Sequence, residues 1–135
     1  MVLDISSSVL THIRAAAAAA PQQEVCGLLL GTEGRIDAAQ SCNNVAADPA
    51  RRFELDPAAL IAAHRAARAG GAAIVGHYHS HPSGLPVPSG YDADAASADG
   101  AVWLIVAGGE VNAWRAVEAG AVHGRFEAVE LRIDD

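Results

Sequence analysis

Aromatic side chains are scarce in this chain: Phe, Trp and Tyr together make up 4% of its 135 residues. Its core must therefore be built from Leu, Val, Ile and small residues, alanine above all, within a hydrophobic fraction of 51%. Cysteine is rare too. Cys26 and Cys42 are too few for a disulfide framework and suit small buried side chains. Basic charge is thin, with a net charge of −7 and a single adjacent pair, Arg51–Arg52, which argues against a nucleic-acid partner. Long apolar runs are missing: the Ala15–Ala20 run stops at Pro21, far short of a bilayer span. The opening MVLDISSSVLTHIR carries Asp4 and no basic residue ahead of its apolar positions, unlike a secretory signal. The expectation is one domain spanning 1–135, soluble and cytoplasmic, with neither nucleic acid nor membrane as partner.

The chain alternates apolar runs with helix signals. Val2–Ile5 reads as a short strand, and Ser6–Ser8 can cap an alanine-rich helix that Pro21 ends. VCGLLLG (Val25–Gly31) is a compact run bounded by glycine, as a buried strand would be. Arg35–Cys42 and Arg52–Leu55 read as further strands around the loop NNVAADPA. Asp56-Pro57 opens a helix, acid at the N-cap and proline in the first turn, with Leu60, Ile61 and His64 on one side. AAIVGHYHS is the next strand, SGYDADAASA a short helix capped by Ser89, and three more strands follow. This order predicts an α+β domain: a mixed, mostly antiparallel sheet flanked by two main helices.

Three of the six histidines, His77, His79 and His81, fall within five positions. Strand alternation puts His79 and His81 on one face, with Tyr78 and Ser80 turned the other way. Two imidazoles so placed can ligate one metal ion. Asp92 has two readings. With Ser89 it satisfies a capping-box pattern, and from the first turn of its helix it can also aim a carboxylate at a metal held by the preceding strand. Two His and one Asp would leave one tetrahedral position of a zinc ion open, the catalytic arrangement, in which a water's pKa falls to about 7. A hydrolase also needs a proton shuttle. Glu24, at the mouth of the VCGLLLG run, is a candidate beside Glu54 and Glu110. His77 is either a packed strand histidine or a partner to the ligands, and His12, His64 and His123 carry no role.

The set Glu24…His79-Ser80-His81-Pro82…Ser89-x-x-Asp92 resembles the JAMM (MPN-plus) metalloprotease signature. That signature is a distant Glu, then His-x-His, seven residues, Ser, two residues and Asp, and the spacing here matches without a gap. PQQEVCGLLLG, RRFELDP and IVGHYHSHPSG agree as well, so the likeness spans most of residues 21–107. The resemblance implies a fold related to the cytidine-deaminase architecture and one zinc per chain on His79, His81 and Asp92. It makes Glu24 the general base and acid, Ser89 an oxyanion donor, and Cys26 a core residue. It further implies cleavage of a peptide or isopeptide bond after the Gly-Gly tail of a ubiquitin-like or sulfur-carrier-like protein, a tail that could pair with an exposed sheet edge. Two other readings are weaker. A binding module with structural zinc has no need of Glu24, and a zinc deaminase expects His-x-Glu and Pro-Cys-x-x-Cys, neither of which occurs.

Overall fold

The computed structural model describes residues 2–134. Seven strands and three helices follow one another as β1 (Val2–Ile5), α1 (Ser7–Ala19), β2 (Cys26–Thr32), β3 (Arg35–Cys42), α2 (Pro57–Arg68), β4 (Ala73–Ser80), α3 (Gly90–Ala95), β5 (Val102–Ala107), β6 (Glu110–Gly120) and β7 (Gly124–Ile133). Local chemistry sets the helix starts. Ser6 accepts from the Val9 amide at 3.4 Å, and Asp56 accepts from the Ala58 amide at 3.0 Å with Pro57 behind it. None of the helices described is long and apolar enough to cross a membrane.

The expected sheet flanked by two main helices is corrected: the sheet is mixed, but its strands close into a barrel in the order β1-β3-β2-β4-β5-β6-β7. Closure comes from β1, which pairs in parallel with β3 on one side and β7 on the other, while the Asp4 carboxylate grips Arg132 across the β1–β7 seam at 2.6 Å. Four pairings are antiparallel and three parallel. The outer edge of β3 beyond Ile36 has no second strand partner among the described residues, because β1 reaches only Arg35 and Ile36.

Every residue of β5 is buried, so both its faces are covered. On one face Leu104 and Val106 join a core with Val9, Leu10 and Ile13 of α1. On the other, Trp103 and Ile105 join Trp114 and Phe126, with Phe53 and Val87 packed alongside. One local expectation is also corrected. Arg52–Leu55 forms no strand beyond an isolated bridge between Asn44 and Leu55, because the Asn44 side chain takes the Arg52 carbonyl and the Glu54 amide that a ladder would use. Ile61 faces outward, 52% exposed, and the buried side chain of α2 is Ala63.

The parallel β4–β5 pair shapes the end of the barrel where His79 and His81 lie. Parallel neighbours need a crossover rather than a tight turn. The crossover from His81 to Ala101 carries the proline loop and α3 back over the end of β4.

Candidate metal centre and catalytic cleft

β4 ends at Ser80, and the His81 amide extends its ladder by one bond, to the Val106 carbonyl at 2.9 Å. His79 is fully buried and His81 mostly so, and their Nε2 atoms converge 3.0 Å apart. α3 brings in Asp92 from its first turn. Its Oδ2 lies 3.1 Å from His79 Nε2 and 3.2 Å from His81 Nε2. Tetrahedral bonds of about 2.0–2.1 Å place ligand atoms about 3.3 Å apart, so this triangle has the size a zinc ion requires. The donor set, two imidazole nitrogens and a carboxylate oxygen, is of the right chemical type as well.

The local cap and the cluster use the same atoms. Asp92 Oδ2 accepts from the Ser89 amide at 2.9 Å while the Asp92 amide donates to Ser89 Oγ at 3.1 Å, a complete capping box. The two readings of Asp92 are therefore compatible. Burial alone would favour the neutral acid, but the bonds from His79, His81 and Ser89 outweigh it and hold Asp92 far below the ordinary carboxylate range. Burial also lowers the pKa of His79, against the pull of Asp92. At His81, burial is overcome by Asp92 and the Leu85 carbonyl, and the pKa rises.

Glu24 arrives from the segment before β2 and is 5% exposed. Four backbone ties place it: its amide donates to the Pro49 carbonyl at 2.7 Å, its carbonyl accepts from Asn44 at 2.9 Å, and Ser80 clasps both polar groups of Val25 next door. Ser80 does turn away from the histidines, and this is its use. Donor atoms of Glu24, His79, His81 and Asp92 all lie within 4.8 Å of one another. Glu24 Oε1 is buried with no hydrogen-bond partner, an acceptor left over beside the triangle. Burial, with the Asp92 charge adding and His81 opposing, pushes the Glu24 carboxyl up to about 7. Glu54 and Glu110 are absent from the cluster.

A cleft of about 520 Å³ opens here, lined by Glu24, His81 and Ser89 with Arg51, Leu85 and Tyr91 at its walls. Trp114 and His123, neither of which has a role on sequence grounds, brace the proline loop by donating to the Pro86 and Pro88 carbonyls, each at 3.0 Å. Their partners lie 28 and 35 residues away, and no local pattern announces such contacts. His77 is a packed histidine: its ring lies 4.3 Å from Trp103, it makes no hydrogen bond to the cluster, and burial pushes it down to about 3. Cys26 is buried and its thiol is pushed up to about 12 by burial, which rules out a ready nucleophile, while Cys42 is half-buried.

Residues 6–117 match the family described as prokaryotic homologs of the JAB domain. A protein of Haloferax volcanii named desampylase is 43% identical over 107 residues, 78% of this chain and 77% of that one. A desampylase of Pyrococcus furiosus is 37% identical over 92 residues, covering 67% and 65% of the two chains. A solved protein of Salinibacter ruber aligns with a TM-score of 0.68 at 30% identity, over 98% of this chain and 92% of that one. A JAB1/MPN domain protein from Archaeoglobus fulgidus shares the fold with a TM-score of 0.60 at 21% identity, over 96% and 97% of the two chains.

Proposed function

The chain belongs to the JAMM (MPN-plus) family of hydrolases, in its prokaryotic JAB branch, and on that premise we propose that it is a zinc-dependent isopeptidase acting after the Gly-Gly tail of a ubiquitin-like or sulfur-carrier-like protein. The observation that carries this reading is the 3.0–3.2 Å triangle of His79, His81 and Asp92 with the unpartnered Glu24 carboxylate beside it. Two curated relatives bear the name desampylase, which supports a ubiquitin-like substrate class.

His79, His81 and Asp92 would hold a zinc ion, which would supply Lewis-acid polarisation of the scissile carbonyl and lower the pKa of a water toward neutral. Glu24 would accept a proton from the attacking water, and a carboxyl poised near 7 can hand it on to the leaving amine. Ser89 uses its oxygen as acceptor in the cap, so its own O–H remains free to donate to the oxyanion that develops in the cleft it lines. A module using zinc only structurally has no task for a buried, unpartnered carboxylate.

His81 and Pro82 line the 520 Å³ cleft and also a 230 Å³ cleft that reaches Arg14 and Gly109. Open space on both sides of His81 suits an extended tail threaded past the metal. Glycine at the cut lets a scissile carbonyl approach so crowded a centre. Two free thiols at facing register positions, Cys26 and Cys42, suit a reducing compartment, and a cytoplasmic location is part of the proposal. The test is a ubiquitin-like protein from the same genome with a C-terminal extension, offered with a Gly-Gly or a Gly-Leu junction. Mass spectrometry should place the cut directly after Gly-Gly, with the Gly-Leu junction cut far more slowly. Equal rates, or a cut elsewhere in the tail, would overturn the substrate assignment.

A further inference from the structure

The RRFELDP stretch supplies no group to the hydrolytic chemistry, yet the fold brings it to the metal centre. The Phe53 ring stacks on His79, centroids 4.3 Å apart and planes 20° apart. Its other neighbours are Trp103, at 5.9 Å edge to face, and His77, at 5.5 Å.

The two histidines are oriented by different means. His81 donates from Nδ1 to the Leu85 carbonyl at 2.9 Å, which fixes its ring and leaves Nε2 for the metal. His79 Nδ1 is buried and has no hydrogen-bond partner. A ligating imidazole nearly always secures its orientation through that second nitrogen. Without such a bond, rotation about the χ2 torsion, whose wells are broad, would carry Nε2 off the triangle. What remains to hold the ring is packing: the Trp103 ring stands edge-on with centroids 5.8 Å apart, and Phe53 supplies the flat surface against its face.

Phe53 is itself stationed by Asn44. The Asn44 amide donates to the Arg52 carbonyl at 3.1 Å and accepts from the Glu54 amide at 3.1 Å, bracketing Phe53 on both sides. The same side chain donates to the Glu24 carbonyl at 2.9 Å and accepts from the Ala46 amide at 3.0 Å. We propose that Phe53 is a positioning residue of the metal centre, holding His79 by ring stacking in place of a hydrogen bond, and that Asn44 ties this ring to the backbone of Glu24. The inference rests on zinc occupying the His79–His81–Asp92 triangle.

The test is zinc affinity by chelator competition in wild type, Phe53→Tyr, Phe53→Leu and Asn44→Ser, with the visible spectrum of each cobalt-substituted protein. Loss of an outer partner of a metal ligand costs about 10–100-fold in affinity. Phe53→Leu, apolar but without a ring face, should fall in that range with an altered cobalt spectrum, and Phe53→Tyr should stay within about threefold of wild type. Asn44→Ser keeps the ring but frees its station, and it should also weaken zinc binding about tenfold. Wild-type affinity and spectrum in Phe53→Leu, while His79→Ala loses zinc, would overturn the positioning role and leave the proposed function standing. Should Phe53→Leu fail to fold, wild-type behaviour of Asn44→Ser would overturn it equally. A wild-type protein that takes up no zinc would overturn both.

Discussion

Asp92 and Ser89 show how few atoms the site needs. One carboxylate oxygen closes the helix cap and completes the triangle, and one hydroxyl accepts in the cap while its proton stays available to the cleft. Removing the Ser89 hydroxyl should therefore have two separable effects. Ser89→Ala is expected to cost about 1 kcal/mol of stability through the lost cap. It should also lower kcat by roughly 10²–10³-fold through the lost oxyanion donor. Thermal unfolding and steady-state kinetics on one preparation separate these effects, and a lowered midpoint with normal kcat would reduce the hydroxyl to a cap. The spacing of His79, His81, Ser89 and Asp92 was legible because strand alternation and the first helical turn are local rules. Glu24 was not separable from Glu54 and Glu110 on local grounds. Its burial depends on Pro49, Asn44 and Ser80, which are far from it in sequence.

The strand–crossover–strand unit of β4, α3 and β5 carries the triangle, so the packing of β4 against β5 should govern its integrity. Gly76 marks the closest approach: a Cβ there would stand 2.0 Å from the Val102 carbonyl oxygen. Gly76→Ala must push the two strands apart and should cost roughly 1–3 kcal/mol or more in urea unfolding. Gly90→Ala, where a Cβ meets nothing within 4 Å, should stay within about 0.5 kcal/mol of wild type. Equal effects at the two positions would mean that the strand contact is not tight. Apolar runs made β2, β4 and β5 readable, and cap residues made the starts of α1 and α2 readable. Arg52–Leu55 misled because its residues suit a strand, while the side chain that takes over its ladder, Asn44, lies eight residues before Arg52. How deeply α2 packs was not legible, because a helical stripe of apolar residues does not say how wide a face the partner covers. Here α2 buries Ala63 alone.

Closure of the barrel was beyond local reading altogether. It depends on β1, four residues long, finding Glu130–Ile133 of β7 in parallel, a pairing that leaves no periodic trace. The site is carried by one strand of this ring, β4, and by the crossover after it, so metal binding should be felt by the entire fold. Zinc at a thousandfold excess over its dissociation constant adds about 4 kcal/mol. For a chain of this size, that raises Tm by roughly 10 °C or more. Chelation should reverse the rise, and His79→Ala should abolish it; a Tm indifferent to zinc would place the ion elsewhere or nowhere. The central claim is that this fold holds a metal for hydrolysis rather than for structure, and Glu24→Gln tests it most directly because the amide keeps the shape but cannot take a proton. Zinc content and single-turnover cleavage of a Gly-Gly extended substrate should be measured on the same sample. The expected result is about one zinc per chain, as in wild type, with cleavage slowed by roughly 10²–10⁴-fold; full zinc with cleavage at the wild-type rate would contradict the account.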